Sequence, residues 1–191
     1  MMDLAILVRH GESYTNKINI VSEDVEKYSL TELGIKQANN VAKELKKIGI
    51  EHIYSSPIRR ARETAGIISN ELKMDVELDY RLKEIGFGKF NGKKLEDVPD
   101  FTYQSNEIEP WENIEKRMLS IIEEKEGKCL LVSHAFPIRV IIAHYLSLGE
   151  DESFGIFINY ATISMIDVKK GRVIAIGSPK VTKYMENGAK L

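Results

Sequence analysis

An arginine and a histidine stand side by side at Arg9-His10, with the apolar run Leu4-Ala5-Ile6-Leu7 before them and Gly11 after. A fixed cation beside an imidazole suits a phosphoryl group: guanidinium grips its oxygens bidentately, and neutral imidazole can attack its phosphorus. A second histidine, His134, follows the apolar run Cys129-Leu130-Leu131-Val132 through Ser133, with Ala135 behind it. A third junction, Ser55-Ser56-Pro57-Ile58-Arg59-Arg60, puts arginines at the start of a predicted helix, where anions are already favoured. If these junctions meet at one edge of a sheet, two histidines and at least two arginines converge. Desolvating each charge is costly, so an anion is their natural occupant.

Each residue also has a plainer reading. An isolated His10 is a core histidine, and Arg59, Arg60 and Arg62 form a solvated helix face from which spacing selects none. Glu84 alone is an exposed carboxylate. His52 and His144 read as structural or surface residues, Cys129 as packing, and Trp111 as an anchor for a loop. Gly86-Phe87-Gly88 lacks the strand–loop–helix context of a nucleotide loop. Lys93 and Lys94 are surface charge, or they reach a second acidic group on a substrate.

The elements that must position these groups alternate between strands and helices. The apolar opening run is a buried strand whose carboxyl end carries Arg9 and His10, where open α/β sheets place ligands. Residues 12 to 28 read as polar and irregular. Ser29 or Thr31 caps a helix whose inner face is Ala38, Val41, Ala42, Leu45 and Ile48, with Gly49 at its end. Ile50 to Ser55 is a strand, and Ser56-Pro57 opens a helix lined by Ile58, Ala61, Ala65, Ile68 and Leu72. Val76 to Leu78 is another strand. Residues 85 to 116, with glycines, prolines and aromatics, read as a long loop or partly helical flap over the site, merging into a helix from about 112 to 124. Lys128 to Ser133 is a buried strand, and Pro137 opens an apolar helix through Leu146. Thr162 to Val168 and Arg172 to Ile176 form a hairpin turned at Lys170-Gly171. The expected fold is α/β: a three-layer α/β/α sandwich in one domain over 1–191, its sheet mainly parallel with an antiparallel edge.

Composition bounds the partners. The chain has 191 residues, 43% hydrophobic and 29% charged, with a net charge of −2, so any anion site is a local cluster and no nucleic-acid partner is expected. One cysteine allows no internal disulfide and points to a reducing compartment. Met1-Met2-Asp3 has no basic character, and the following apolar run is too short for a signal peptide or a membrane span, so the expected location is cytoplasmic, with no membrane partner. The apolar C-terminal hairpin offers an edge for a possible homodimer.

In its ordered motifs the chain resembles the histidine phosphatase superfamily, which includes phosphoglycerate mutases and many small phosphatases. The matching blocks are Leu7-Val8-Arg9-His10-Gly11-Glu12-Ser13 with Asn16, Leu30-Thr31-Glu32-Leu33-Gly34 with Gln37-Ala38, Ser55-Ser56-Pro57 with Arg60-Ala61 and Thr64-Ala65, Leu82-Lys83-Glu84 with Phe87-Gly88 and Gly92, and Val132-Ser133-His134. The resemblance implies that His10 becomes phosphohistidine, that Arg9, Arg60 and His134 hold phosphoryl oxygens, and that Asn16 adds a hydrogen bond. It also implies that Glu84 is the general acid and then the base. Ala135 stands where the family usually has glycine; it keeps the backbone donor. No cofactor and no metal are expected.

The expected reaction is hydrolysis of a small phosphate monoester. The alternative is a bisphosphoglycerate-dependent phosphoglycerate mutase. Family mutases carry an arginine pair after the general acid, and residues 85 to 116 contain no arginine, which favours hydrolysis. A silent binder of phosphorylated ligands and a metal-dependent hydrolase rank below both, since the catalytic positions are intact and no two-histidine metal spacing occurs.

Overall fold

The computed structural model describes residues 1–190. Six strands, β1 (Met2–Arg9), β2 (His52–Ser55), β3 (Val76–Leu78), β4 (Gly127–Ser133), β5 (Ile163–Asp167) and β6 (Arg172–Ser178), form one sheet ordered β3-β2-β4-β1-β5-β6. β1, β4, β2 and β3 pair in parallel, while β5 runs antiparallel to β1 and β6 antiparallel to β5. Among the described residues six α-helices surround it: α1 (Tyr14–Lys17), α2 (Glu32–Leu45), α3 (Arg59–Leu72), α4 (Trp111–Glu124), α5 (Ala135–Tyr145) and α6 (Lys183–Gly188). Strand side chains alternate between faces, so β1 feeds two cores. Leu4, Ile6 and Val8 pack with Val41 and Leu45 of α2 and Ala61, Ala65 and Ile68 of α3. Ala5 and Leu7 pack with Ile114 and Met118 of α4 and Ile138 and Ile141 of α5. This is the expected three-layer α/β architecture.

Register aligns the chemistry. Arg9 pairs with Ser133, so His10 and His134 leave the sheet as neighbours, and His10 N donates to Ser133 O at 3.0 Å. Ser55 pairs with Val132 on the other side, and Ser56 N donates to Val132 O at 2.9 Å. Three parallel strands therefore deliver all three sequence junctions to one edge.

Several element boundaries differ from the sequence reading. Thr31, not Ser29, caps α2, its Oγ1 accepting from Gly34 N at 3.0 Å. The chain at Ser29 and Leu30 is drawn into a bridge with Ser13, and Ser29 O accepts from Tyr14 N. α3 opens at Arg59 because Ser56 still continues the ladder and Ile58 stays extended as the cap. α5 begins at Ala135, two residues before Pro137, and a proline in the first turn removes an N–H that has no intrahelical acceptor anyway. α1 lies within the stretch read as irregular. α6 was not anticipated; it is six residues long and buries one apolar residue, Met185, so it shows no periodicity. Within residues 85 to 110 the chain forms three 3₁₀ turns, Gly88–Phe90, Leu95–Asp97 and Thr102–Gln104.

The turn after β1 is closed by two glycines in contact. A Cβ on Gly34 would lie 2.0 Å from Glu12 O, and one on Gly11 would lie 2.4 Å from Gly34 O. Gly66 of α3 faces open space. Gly34→Ala should destabilise the domain by about 1–3 kcal/mol in urea unfolding. Gly66→Ala should stabilise it by about 0.5–1 kcal/mol. Equal effects from the two would contradict this packing.

Candidate active site

His10 lies at the end of β1, buried, with ring nitrogens in two distinct settings. Nδ1 faces Gly11 O at 2.7 Å, and a carbonyl only accepts, so Nδ1 carries the proton. Arg60 Nε donates to Nε2 at 3.2 Å, so Nε2 carries the lone pair. Burial pushes His10 well below the usual imidazole range, and repulsion by Arg60 and Arg9 adds to it. The result is a neutral imidazole whose nucleophilic nitrogen points at a guanidinium.

Both arginines are held by backbone carbonyls. Arg9 Nη1 donates to Ile158 O at 2.6 Å, and its guanidinium lies 4.1 Å above the Tyr160 ring centre. Arg60, 3% exposed, donates from Nη2 to Ser22 O at 2.8 Å. Burial lowers both, Arg60 to about 10. Arg59 and Arg62 instead point outward, pairing with Glu63 and Glu26. Burial thus separates three arginines that sequence spacing could not.

His134 is fully buried, its ring centre 5.0 Å from that of His10. Its Nε2 bonds Ser56 Oγ at 2.9 Å, and Ser56 Oγ also accepts from Ile58 N at 3.2 Å. Burial, then the charge of Arg60, keeps His134 neutral, so its 3.9 Å approach to Glu84 Oε2 is a contact of a neutral ring and not an ion pair. Among the described residues, four buried side-chain atoms lack a partner, and three meet here: Arg9 Nε, Arg60 Nη1 and His134 Nδ1. Such groups normally find partners, and three nitrogens converging at one edge fit the oxygens of a tetrahedral anion.

Glu84 faces the same space. Burial raises its carboxyl above the ordinary range, opposed by Arg60 and Arg9. Its Oε1 accepts from Ile85 N at 3.0 Å. Arg117, which sequence reasoning did not single out, braces this segment by donating to Arg81 O at 2.5 Å and Glu84 O at 3.3 Å while pairing with Glu109 at 2.8 Å. Asn16 Oδ1 accepts from Ser13 N at 3.0 Å, which leaves its amide nitrogen for the cavity that Asn16 lines. Ala135 opens α5 with an ordinary helical backbone, so no glycine is needed there.

These groups border a cavity of about 440 Å³ lined by Arg9, His10, Asn16, Arg60, Glu84 and Ala135, with His134 buried against His10. Residues 85 to 116 supply part of its wall, including Phe87, Val98 and Ile108. Other parts come from the segment between Thr15 and Ser22, from Phe136 and Arg139 of α5, and from Phe154 and Tyr160. The segment read as a flap over the site thus borders the cavity together with residues from α5 and from 154 to 160. Neither Lys93 nor Lys94 reaches the cavity, and Trp111 is core, its backbone N–H donating to Thr102 Oγ1 at 3.2 Å. His144 lies at the surface beside Glu115, and His52 is exposed. Tyr160 carried no sequence signal. Arg139 did, as a lone charge inside an apolar helix. Among the described residues no three of His, Cys, Asp and Glu cluster as metal ligands, and no helix is long and apolar enough to cross a membrane.

A family model described as histidine phosphatase superfamily (branch 1) matches residues 5–176. A 2,3-bisphosphoglycerate-dependent phosphoglycerate mutase of Thermoplasma acidophilum is 40% identical over 190 residues, 95% of each chain. A Hydrogenobacter thermophilus protein provisionally named phosphoserine phosphatase 2 is 32% identical over 180 residues, covering 85% of this chain and 88% of its own. Among solved structures, the alpha-ribazole phosphatase of Shigella flexneri superposes with a TM-score of 0.80 at 20% identity, covering 94% of this chain and 98% of its own.

The hydrogen bonds at His10 lead to a spectroscopic expectation. In ¹⁵N NMR, His10 should show the Nδ1–H tautomer, and neither His10 nor His134 should titrate between about pH 6 and 8. A cationic His10 ring at the lower end of that range would contradict the assignment.

Proposed function

The chain belongs to the histidine phosphatase superfamily, and from that premise we propose that it transfers the phosphoryl group of a small phosphate monoester to His10 and then to water. The observation that carries this reading is the His10 setting: a neutral ring, its proton fixed on Nδ1, its Nε2 lone pair facing Arg60 Nε among buried donors. An arriving phosphoryl group takes over the Arg60 Nε–H, which frees the Nε2 lone pair for in-line attack. Arg9, Arg60, His134 and Asn16 hold the equatorial oxygens and stabilise their charge, the main requirement of phosphoryl transfer. Glu84, its proton affinity raised by burial, gives its proton to the leaving alkoxide and then, as a carboxylate, takes one from the attacking water. Small-molecule phosphate is the expected partner, with neither nucleic acid nor membrane involved.

A second reading, phosphoglycerate mutase, is favoured by the 40% identity with the Thermoplasma acidophilum protein. Its acceptor would be a phosphoglycerate hydroxyl, with His10 primed by a bisphosphoglycerate. The phosphoryl end of such a group fits the same buried donors. The absence of arginine from residues 85 to 116 weighs less against this reading now that Arg139 reaches the cavity.

Two measurements test these readings. Activity requires neutral His10 and protonated Glu84, so the rate should fall as pH rises through the elevated Glu84 value, giving a mildly acidic optimum. Glu84→Gln should lower turnover of alkyl phosphates by roughly 10²- to 10⁴-fold and abolish that alkaline limb. A wild-type rate that climbs steadily into alkali would contradict the role of Glu84. In a coupled assay with 3-phosphoglycerate and catalytic bisphosphoglycerate, release of inorganic phosphate is expected. Rapid 2-phosphoglycerate formation without phosphate release would replace the first reading with the second.

A further inference from the structure

Arg139 is a third guanidinium on the cavity, separate from the two that cradle His10. It sits on α5 with Ala135 and Phe136, four and three residues before it, so all three share the helix face that lines the cavity. Its α-carbon lies about 6 Å along the helix from Ala135. Arg139 Nε donates to Ile156 O at 3.3 Å, and its guanidinium carbon lies 5.7 Å from the Phe136 ring centre and 5.4 Å from that of Phe154. The backbone bond and the two rings hold the guanidinium in place. Among the described residues it forms no ion pair, and its two terminal nitrogens make no hydrogen bond to the protein. Burial lowers its proton affinity, and the charge of Glu84 partly restores it.

The charge balance of the cavity makes this residue informative. Arg9, Arg60 and Arg139 line it, against partly buried Glu84 and solvent-exposed Asp100. A phosphoryl dianion bound at His10 balances Arg9 and Arg60 and leaves Arg139 with exposed, solvent-screened Asp100, with which it forms no ion pair. A planar guanidinium with its two terminal nitrogens free is shaped for bidentate pairing with a carboxylate.

We propose that Arg139 forms a second anion subsite that binds a carboxylate of the substrate, so that the enzyme selects small phosphate monoesters that also carry a carboxylate. This rests on phosphoryl transfer at His10 but holds whether water or a hydroxyl is the acceptor. Phe136 and Phe154 flank the guanidinium and orient it toward the cavity.

The test uses non-hydrolysable phosphonates as competitive inhibitors of p-nitrophenyl phosphate turnover by the intact protein. Carboxyalkylphosphonates of two to four carbons are compared with alkylphosphonates of equal length, and with bisphosphonates. In the wild type the best carboxylate should bind roughly tenfold to hundredfold more tightly than its alkyl match. In Arg139→Met that advantage should shrink to within about threefold, and Arg139→Lys should retain part of it, since lysine offers charge without the bidentate fork. Three results would overturn the subsite: no carboxylate advantage in the wild type, an advantage unchanged in Arg139→Met, or an Arg139-dependent preference for the second phosphonate alone. The wild-type comparison stands even if Arg139→Met fails to fold. Loss of p-nitrophenyl phosphate turnover in His10→Ala shows that the underlying reaction is present. Wild-type turnover that does not depend on His10 would sink the phosphoryl-transfer reading, a separate failure.

Discussion

Gathering two guanidinium groups, Arg60 buried and Arg9 half-buried, against two buried imidazoles, with the largely enclosed carboxylate of Glu84 nearby, is the constraint that organises this molecule. Each buried charge loses several kcal/mol of hydration, so the arrangement persists only if polar contacts replace water. Those contacts come from backbone carbonyls: Ile158 O for Arg9 and Ser22 O for Arg60. A carbonyl steadies a guanidinium without cancelling its charge, whereas a carboxylate would consume the field that an anion needs. Burial, reinforced by that same field, keeps both histidines neutral and leaves His10 with a usable lone pair. Burial raises the proton affinity of Glu84, and the neighbouring Arg60 and Arg9 oppose it.

Everything else serves that juxtaposition. The parallel pairing of β1 with β4, and of β4 with β2, brings His10, His134 and Ser56 to one edge in register. Gly11 and Gly34 let the turn after β1 pass the start of α2 at backbone contact. Thr64 links the same turn to α3, accepting from Gly11 N at 3.1 Å and donating to Arg60 O at 2.8 Å. The segment from Ile158 to Ala161 closes over Arg9; Ala161 N donates to Arg9 O at 3.0 Å, and Ala161 adopts a left-handed φ of 48°. A non-glycine residue in that region costs about 1–2 kcal/mol. The packing around Arg9 sustains it.

Much of this was legible in the sequence because local patterning and fold agree there. The buried strands, the inner faces of α2 and α3, and the hairpin of β5 and β6 follow from apolar periodicity alone. The motif residues Arg9, His10, Asn16, Arg60, Glu84 and Ala135 all border one cavity, with His134 behind them. Periodicity does not see tertiary contacts, and the misses lie there. Ser56 looked like a helix cap because serine before proline usually is one, yet its hydroxyl bonds His134 across 78 positions in sequence. Arg117 and Tyr160 act through partners far along the chain and leave no local mark. Arg139 did leave one, a charge within Phe136-Pro137-Ile138-Arg139-Val140-Ile141-Ile142, because an apolar helix accommodates an arginine most readily where that arginine has somewhere polar to reach.

The claim that joins these features is covalent capture of phosphate by Nε2 of His10. Trapping the enzyme during turnover of a labelled phosphate monoester, quenching in alkali and sequencing the labelled peptide tests it most directly. The account predicts one acid-labile, alkali-stable phosphate on the peptide containing His10. Label on any other residue, or turnover with no phosphoenzyme and with inverted stereochemistry at phosphorus, would contradict it.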